Sequence, residues 1–585
     1  MVAGSFRESR KLALLGLFLV PAAAGLGALQ ALWLRSMTDG AERHALGPAL
    51  AGALLLVATL ALAQALQLAG TTTRIGLSER VGFAFDRRVA RLTARIPGLR
   101  HHESAAFQDR LHLLRSQLLA MGGLLNWLLN LLEDLGGFLV TAVLLALVHP
   151  ALLALPLAGL VALRLQVASR GVLARAQEKS AADQRLAGRL ARLAAGPAAG
   201  MEVRLLGAGP ALSRRRAAAR DRADAVMGPA QWKVAAIGGA AGLLNTLSLL
   251  AAVGAVSVLA AEGRASLGAV LLAVLLTGRF VGHVAGLVGG TGMIVDLLQS
   301  AERFRWLRSY ARRVRPAAPT ADVPAALRRG ISVERLTFRY PGTSRTVLRD
   351  VSLHLPAGGV VALVGENGSG KTTLIKLLCR MYEPTHGRIR AEDATLAAFD
   401  PVRWRARLSA GFQDFVRFEL LTRETVGVGD VTRLEDRGAV LDALDRAGAA
   451  GLTARLPHGL DTQLGRQWPS GVDLSGGQWQ KLAVGRALMR ARPLLLVLDE
   501  PTASLDAETE HALFERLGAA ARAANGASGG AVTLLVSHRF STVRAADLIV
   551  VLDGGRVAET GSHRQLMARG GLYAKMYGLQ ARAYR

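Results

Sequence analysis

A chain of 585 residues is too long for a single hydrophobic core, so two or more domains are expected. With 51% hydrophobic residues and a mean hydropathy of +0.29, the composition excludes an ordinary soluble protein, and part of the chain is expected in lipid. The net charge of +27 is compatible with nucleic acid or with an anionic membrane surface as the partner. The single cysteine, Cys379, excludes disulfides within the chain and cysteine metal clusters.

The N-terminal half contains six apolar segments long enough to cross a bilayer. They cover about residues 12–34, 48–69, 118–148, 151–171, 235–261 and 267–290. Basic residues concentrate at the N-terminus and in the long stretches 71–117 and 170–233, and they are sparse in the three short loops. By the positive-inside rule, both ends of the chain are expected in the cytoplasm, with the spans in the inner (cytoplasmic) membrane. This distribution explains much of the net charge, so no nucleic-acid partner is expected.

The domain boundaries follow from changes in composition. Residues 1–311 form the predicted membrane domain, and the Arg-, Pro- and Ala-rich stretch 312–330 is the predicted linker. From 331 to 585, apolar strands such as 360–364 and 494–498 alternate with helices, which is typical of an α/β domain. The predicted fold is multi-domain: an all-α domain with six transmembrane helices, followed by an α/β domain.

Polar residues inside the predicted spans are costly unless they face the interior of the helix bundle. Asn126, Asn130 and Glu133 recur at helical spacing in the third span, and Arg279 and His283 lie one turn apart in the sixth. Two interpretations stay open. These residues form a polar cavity wall that meets an amphiphilic substrate, or Arg279 and Glu133 form a pair between helices.

A glycine-rich loop between a strand and a helix is the strongest motif. The apolar run 360–364 leads into a loop formed by Gly365, Glu366, Asn367, Gly368, Ser369, Gly370, Lys371, Thr372 and Thr373. Glycines let the backbone curl so that its amides point at a phosphate chain, and the helix start adds the positive end of its dipole. Lys371 is expected to reach the β- and γ-phosphates, and the Thr372 hydroxyl to bind Mg²⁺. The motif predicts a nucleotide site but no particular activity.

Asp499 and Glu500 follow a second apolar run, 494–498. Such a run predicts a strand that is buried on both faces, and side chains at its carboxyl end point into the ligand crevice. Asp499 is expected to hold Mg²⁺, and Glu500 to polarise the water that attacks the γ-phosphate. An isolated Asp-Glu pair is more often a helix cap, but this pair lies about 130 residues after a phosphate loop.

A second anion-binding geometry is predicted at residues 474–478. Leu474, Ser475, Gly476, Gly477 and Gln478 form a Ser-Gly-Gly turn at a helix start. This run matches a signature loop, and the chain resembles an ATP-binding cassette (ABC) transporter of the exporter type. In this family a half-transporter carries its membrane domain ahead of its ATPase domain. The resemblance implies that Ser475 to Gln478 cap the γ-phosphate of ATP held by a second half-transporter, in a homodimer or a heterodimer.

Further residues match positions of the same family. Tyr340 resembles the aromatic residue that stacks on adenine, and Gln413 resembles the glutamine that touches Mg²⁺ and water. Asp506 resembles a residue of the loop that crosses the dimer interface, and His538 resembles the histidine that contacts the γ-phosphate. The run 462–468 lacks the family's glutamate, so its contacts with the membrane domain are expected to differ in detail.

The resemblance also implies short transverse helices, near residues 101–107 and 207–213, that dock on the ATPase domains. The expected function is export of an amphiphilic substrate, such as a peptide, lipid or drug, driven by ATP hydrolysis. An importer built on the same fold stays open, and six spans argue against a soluble ABC ATPase that binds nucleic acid. An exporter that processes peptides would carry a cysteine peptidase domain ahead of its first span, which begins here at residue 12, so peptidase activity is not expected.

Overall fold

The computed structural model of the protein describes residues 9–116, 121–148, 152, 154–196, 199–262, 266–316, 318–500, 530–537 and 543–583. The chain divides into two compact units. The first comprises Met1–Arg95 and Asp109–Ala311, and the second comprises Ile96–Gln108 and Arg312–Arg585. The sequence predicts one membrane domain over residues 1–311. The structure instead groups Ile96–Gln108 with the C-terminal half, because Leu99 packs against its core.

Six long helices are found among the described residues of the first unit. They are Arg10–Glu42, Leu46–Ala94, Leu124–Val148, Ala154–Ala195, Gly209–Ala261 and Leu267–Arg313. Several continue far beyond the predicted apolar spans: Leu46–Ala94 has 49 residues and is about 74 Å long at 1.5 Å per residue. A helix of that length carries its apolar segment and the following basic segment as one continuous element.

Four of these helices contain a segment that is long and apolar enough to cross a membrane, within the residues that the structure describes. The segments are Leu46–Ala94, Leu124–Leu147, Gly209–Val258 and Val270–Gly290. The first and fourth predicted spans lie in Arg10–Glu42 and Ala154–Ala195. Large apolar side chains such as Leu54, Leu147 and Leu250 are exposed on the unit's surface, as lipid-facing residues are.

Short helices separate the long ones at two places, and their bounds differ from those predicted. Arg100–Glu103 and Ala105–Ser116 replace the helix predicted near 101–107. The second short helix is Gly200–Leu205, several residues before the predicted 207–213. It ends there because Gly207 has φ +59°, which is unfavourable for other residues and is typical of a helix terminus.

Ten strands build two sheets in the part of the second unit that the structure describes. The strands are β1 (Gly330–Arg339), β2 (Thr346–Pro356), β3 (Val360–Val364), β4 (His386–Ala391), β5 (Ala394–Thr395), β6 (Leu408–Gly411), β7 (Leu495–Asp499), β8 (Val532–Val536), β9 (Leu548–Asp553) and β10 (Arg556–Gly561). An antiparallel sheet has the order β2-β1-β4-β5, and a larger sheet has the order β10-β9-β3-β8-β7-β6. In the larger sheet every pairing except that of β9 with β10 is parallel. The carboxyl ends of β3 and β7 therefore lie at the same edge, separated by β8 alone.

Helices cover the larger sheet, and apolar residues fill both of its faces. The helices are Lys371–Leu378, Pro401–Arg405, Thr422–Gly427, Arg437–Arg446, Ala450–Thr453, Gly476–Ala487, His563–Arg569 and Leu572–Ala583. Along β3, Val360 and Val364 face one core and Val361 faces the other, so the strand is buried on both sides. Trp479, an unusual residue after the signature loop, is 2% exposed and fills the first core.

Part of the predicted linker belongs to the second unit. Leu327 is fully buried in the core that β1 and β2 share, and its carbonyl oxygen accepts from the backbone N–H of Gly530. The backbone N–H of Thr320 donates to the carbonyl oxygen of Ala398 at 2.9 Å. Residues from about 320 onward are thus held against the sheets rather than extended as a free connection.

Candidate functional site

The loop after β3 adopts backbone conformations that require glycine. Gly365, Gly368 and Gly370 have φ of +149°, +82° and +105°. A Cβ atom at Gly365 would lie 2.2 Å from the carbonyl oxygen of Leu552, and one at Gly370 would lie 2.6 Å from Cδ2 of Leu348. Because a larger residue would clash at either position, the loop keeps the tight curl that a phosphate-binding loop needs.

Lys371 begins the helix Lys371–Leu378 and folds back over this loop. Its Nζ donates to the carbonyl oxygens of Gly365 and Glu366, at 2.8 and 2.9 Å. Burial lowers the pKa of the ammonium group from its ordinary value, while the carboxylates of Glu500 and Asp499 act in the opposite direction. A partly buried cation held by neutral carbonyls gains a stronger partner when an anionic group enters.

Asp499 ends β7 and is 4% exposed. Burial raises the pKa of its carboxyl group to about 6, and the neighbouring Glu500 adds to the effect. The hydroxyl of Thr372 lies 3.5 Å from Oδ2 of Asp499. A carboxylate and a hydroxyl at this separation are suitable ligands for a hard divalent cation, whose charge would offset the cost of burying the carboxylate. The donor set therefore fits Mg²⁺.

A cavity of about 310 Å³ lies where the glycine loop meets the end of β7. Its lining combines backbone amides, one ammonium group, two carboxylates and neutral polar side chains. The lining residues are Arg345, Val347, Asn367, Gly368, Gly370, Lys371, Thr372, Thr373, Gln413, Asp499 and Glu500. The structure thus brings Gln413, Asp499 and Glu500 together with the glycine loop, although they are far apart in sequence.

Other predicted residues lie near this cavity without lining it. Gly365, Glu366 and Ser369 form the inner part of the loop, and the hydroxyl of Tyr340 lies 3.1 Å from Oγ1 of Thr373. Because Thr373 lines the cavity, the half-buried Tyr340 is one residue away from the cavity wall. Asp506 and His538 lie outside the residues that the structure describes.

Arg345 and Val347 line the cavity and were missed by the sequence analysis. Both follow Tyr340 closely, at the start of β2. The sequence feature that could have identified Arg345 is its position five residues after Tyr340, the predicted adenine contact. The side chain of Arg345 is exposed, so its guanidinium group is accessible to a ligand.

The signature loop forms a capped helix start. The Ser475 side chain accepts from the backbone N–H of Gln478 at 3.3 Å, and Oε1 of Gln478 accepts from the backbone N–H of Ser475 at 2.8 Å. A Cβ atom at Gly476 would have no neighbour within 4 Å. Among the described residues, Ser475, Gly476, Gly477 and Gln478 are absent from the lining of the cavity. This chain by itself does not bring the two anion-binding geometries together.

The run before the signature loop is organised by glycine and by an ion pair. Gly465 has φ +97°, and its carbonyl oxygen would lie 2.0 Å from a Cβ atom at Gly471. Nε of Arg466 lies 2.7 Å from Oδ2 of Asp473. Arg466 therefore forms an ion pair with a residue of the same loop. Trp468, two positions further on, is exposed.

A second cavity, of about 320 Å³, lies within the helical unit. Its lining includes Arg74, Trp127, Asn130, Glu133 and Asp134. Nη1 of Arg74 donates to Oδ1 of Asn130 at 2.6 Å. The predicted spacing of Asn130 and Glu133 thus does place both on one cavity wall.

Arg279 contacts a residue other than Glu133, which is its partner in one of the two interpretations left open by the sequence. Nη2 of Arg279 donates to Oε1 of Gln30 at 2.7 Å. Gln30 lies on Arg10–Glu42 and is buried, so a neutral acceptor from another helix satisfies the guanidinium group. Spacing within one helix could not reveal this partner, because Gln30 lies 249 positions away.

Known proteins resemble this chain in sequence and in fold. A family model described as "ABC transporter" matches residues 348–503. A solved bacterial Atm1-family ABC exporter with ATP bound has a TM-score of 0.75 with this chain, at 27% identity, over 98% of both chains. Residues 348–503 therefore match the ABC transporter family, and over its whole length the chain is similar to an exporter-type half-transporter. The predicted order, a six-helix transmembrane domain followed by an α/β nucleotide-binding domain, is confirmed.

Curated relatives each match less than half of this chain. The cyclolysin secretion/processing ATP-binding protein CyaB of Bordetella pertussis (strain Tohama I) is 39% identical over 273 residues, which is 46% of this chain and 36% of that protein. An ATP-dependent lipid A-core flippase of Alkalilimnicola ehrlichii is 42% identical over 253 residues, 43% of this chain and 40% of that protein. The matched part thus spans about two fifths of the length of these relatives.

Proposed function

We propose that this chain hydrolyses ATP between two cassettes and couples hydrolysis to the export of an amphiphilic substrate. The observation that carries the proposal is the cavity in which Lys371, Thr372, Gln413, Asp499 and Glu500 converge. A cation, a pair of metal-ligand oxygens and a second carboxylate, that of Glu500, within one cavity are the groups that phosphoryl transfer to water requires.

The roles of the residues follow from their positions. The amides of the loop from Gly365 to Thr373 bind the phosphates, and Lys371 exchanges its bonds to loop carbonyls for bonds to phosphate oxygens. Thr372, Gln413 and Asp499 hold Mg²⁺, which neutralises charge on the phosphates when it is bound. Glu500 accepts a proton from the attacking water. We also propose that Tyr340 contacts adenine and that His538 contacts the γ-phosphate.

A second half-transporter completes each ATP site. Ser475, Gly476, Gly477 and Gln478 present a helix start, a capping box and an open space, yet they do not line this chain's own cavity. We propose that they cap the nucleotide of a partner chain, with Asp506 in the same interface. The exposed apolar residues Met201, Leu205 and Leu206 beside the short helix Gly200–Leu205 offer a further surface for that partner.

The substrate is proposed to be amphiphilic because of the cavity in the helical unit. Charged groups such as Glu133 and Asp134 share this cavity with Leu19, Leu66 and Trp127. A ligand that fills it meets both a polar and an apolar wall. The unit lies in the inner membrane with both termini in the cytoplasm, since the arginine-rich ends of its long helices are too polar for lipid.

Glu500→Gln tests the proposal directly. The variant keeps the shape of the side chain but cannot accept a proton, so ATP hydrolysis in nanodiscs should fall at least about 100-fold. Binding of Mg·ATP should persist, and the cassettes should remain paired. Glu435→Gln, which changes an exposed carboxylate of the same unit, is the control and should hydrolyse ATP at the wild-type rate. Undiminished turnover by Glu500→Gln would contradict the assignment.

An importer of the same fold is the alternative. The direction proposed here rests on the relatives, which are described as a flippase and a secretion protein. In inside-out vesicles, an exporter concentrates substrate in the lumen when ATP is added outside. Efflux of preloaded substrate under the same conditions would instead establish import.

A further inference from the structure

Lys376 links the phosphate-binding helix to residues of the N-terminal half of the chain. It lies on the helix Lys371–Leu378, and its Nζ is 5.5 Å from the ring centroid of Tyr340 and 6.0 Å from that of Tyr382. The same Nζ donates to Oε1 of Glu103 at 3.3 Å. The Lys376 side chain is 27% exposed, and two aromatic rings and one carboxylate lie close to its ammonium group.

Glu103 is held by a second bond from the same unit. The Tyr382 hydroxyl donates to Oε2 of Glu103, and Tyr382 is 7% exposed. Burial raises the pKa of the Tyr382 phenol, and the bond to Glu103 adds to that shift, so the hydroxyl stays protonated and keeps donating. The two oxygens of one carboxylate thus bridge Lys376 and Tyr382.

The backbone around Glu103 is fixed at the same place. The N–H of Leu99 donates to the carbonyl oxygen of Met381 at 3.2 Å, and Leu99 packs against the core of the second unit. Gly98 has φ +84°, and a Cβ atom there would lie 2.6 Å from the same carbonyl oxygen. Met381 lies three residues after the end of the phosphate-binding helix. The segment that follows this helix is therefore hydrogen-bonded directly to Ile96–Gln108.

Tyr340 is held at three points. Its hydroxyl is 3.1 Å from Oγ1 of Thr373, its ring meets the Tyr382 ring edge to face at 5.3 Å, and Lys376 lies over it. Thr373 lines the nucleotide cavity, and Lys376 is one turn further along the same helix. The ring is thereby connected to the cavity on one side and to Glu103 on the other.

We propose that Glu103 and Lys376 are positioning residues that orient Tyr340 for the base of the nucleotide, so that Ile96–Gln108 respond to occupancy of the base site. This inference rests on the proposed function, in which Tyr340 contacts adenine. Ile96–Gln108 are covalently continuous with the helices of the membrane unit. Occupancy of the base site therefore has a path to those helices that bypasses the γ-phosphate and Gln413.

The physical reason is that a fixed cation constrains and polarises the ring. When Glu103 holds Lys376, the ring keeps one orientation, and the positive charge behind it makes its other face a better platform for an electron-rich base. Loss of either charge removes one of the three contacts that hold the ring, and it removes the polarisation. The effect is confined to the base, because neither Glu103 nor Lys376 lines the phosphate cavity among the described residues.

The test compares a nucleotide with a ligand that has no base. Binding of Mg·ATP and of magnesium inorganic triphosphate is measured by calorimetry on the full chain in nanodiscs. In Lys376→Met and in Glu103→Gln, the dissociation constant for ATP should rise about three- to tenfold, whereas that for triphosphate should stay within about twofold. The KM for ATP hydrolysis should rise with the dissociation constant, while kcat changes by less than about twofold.

Three further variants sharpen the test. Lys376→Arg keeps the cation and should restore ATP affinity. The double variant of Glu103→Gln with Lys376→Met should match Lys376→Met alone, because Glu103 acts through the lysine. Glu334→Gln, which removes a carboxylate from an exposed ion pair with Arg388, is the matched control and should bind both ligands as the wild type does.

The outcomes separate the inference from the proposed function. An equal loss of affinity for ATP and for triphosphate would mean that the variants only disturb the fold. An unchanged affinity for ATP would mean that Tyr340 is positioned without Glu103 and Lys376. Either result overturns the inference while leaving ATP hydrolysis standing. A wild-type chain that binds neither ligand would overturn the proposed function and this inference with it.

Discussion

His283 and Asp134 pair across two helices of the membrane unit, and each lies over a glycine of the other's helix. Nδ1 of His283 is 3.2 Å from Oδ1 of Asp134. A Cβ atom at Gly137 would lie 2.3 Å from the imidazole of His283, and one at Gly286 would lie 2.0 Å from Oδ2 of Asp134. The helices Leu124–Val148 and Leu267–Arg313 can therefore approach closely only because both glycines lack side chains.

Gly137→Ala should destabilise this helix pair. The added methyl group displaces the His283 ring and separates it from Asp134, so we expect a loss of about 1–3 kcal/mol. The change is measured by thermal unfolding in detergent, in which the fraction of protein that stays monodisperse is determined as the temperature rises. Gly136→Ala is the control, since a Cβ atom there has no neighbour within 4 Å. Equal melting temperatures for the two variants would contradict the close approach.

His101 should make the second unit less stable as the pH falls. Its side chain is 2% exposed, and burial lowers the pKa to about 4, with a further contribution from the charge of His102. The folded state therefore binds fewer protons than the unfolded state between about pH 6.5 and pH 4. The stability that neutral His101 contributes is complete above that window and is lost as the pH falls through it.

His101→Phe tests this expectation. Both ring nitrogens of His101 lack a hydrogen-bond partner among the described residues, so a phenyl ring can keep the contact with Phe107 without adding an unmet bond. Stability measured by denaturant unfolding should then decline less between pH 6.5 and pH 5 than in the wild type. His102→Gln, at an exposed position, should have a smaller effect. Parallel curves for wild type and His101→Phe would rule out His101 as the source.

Asp499 has the opposite pH dependence in the nucleotide-free protein. Its raised pKa, about 6, means that the folded state binds more protons than the unfolded state between about pH 4 and pH 6. Its contribution to stability therefore falls as the pH rises through this window and is flat above it. Asp499→Asn removes the buried charge and should stabilise the nucleotide-free protein at pH 7 by up to about 3 kcal/mol.

The same variant should lose the response to metal. Adding Mg·ATP should raise the melting temperature of the wild type more than that of Asp499→Asn, because the metal ligand is gone. Glu419→Gln is a suitable control, since Glu419 does not line the cavity described above. A destabilised Asp499→Asn at pH 7 would show that burial does not dominate at this carboxyl group.

Arg345→Ala should weaken ATP binding about tenfold. The guanidinium group lines the cavity and can form a charge-assisted bond to a ligand oxygen, which is worth about 1.5 kcal/mol or more. Arg349→Ala, which changes a nearby arginine of β2 outside the cavity lining, should bind ATP normally. Titration calorimetry with Mg·ATP distinguishes them. Similar affinities in both variants would exclude a ligand contact by Arg345.

The nucleotide loop was predictable because its requirements are local. Gly365, Gly368 and Gly370 have the positive φ values that nine consecutive residues of sequence imply, and the helix begins at Lys371 as expected. The position of Asp499 and Glu500 at the end of a strand was predictable for a related reason. A strand that is buried on both faces is an apolar run, and the first polar residues after the run mark its end. Arg345 had only a weak signal, its position five residues after Tyr340, because a single arginine in a loop is common.

The sequence by itself determined that the N-terminal half is rich in long apolar segments, that an α/β domain follows it, and that a glycine-rich loop joins a strand to a helix in that domain. Each of these depends on residues that are neighbours along the chain. Only the tertiary structure decided that Glu103 meets Lys376, 273 positions away, that Arg279 meets Gln30, and that Ile96–Gln108 belong with the cassette. These contacts depend on how helices and sheets pack, and local hydropathy and spacing carry no information about packing partners so distant in sequence.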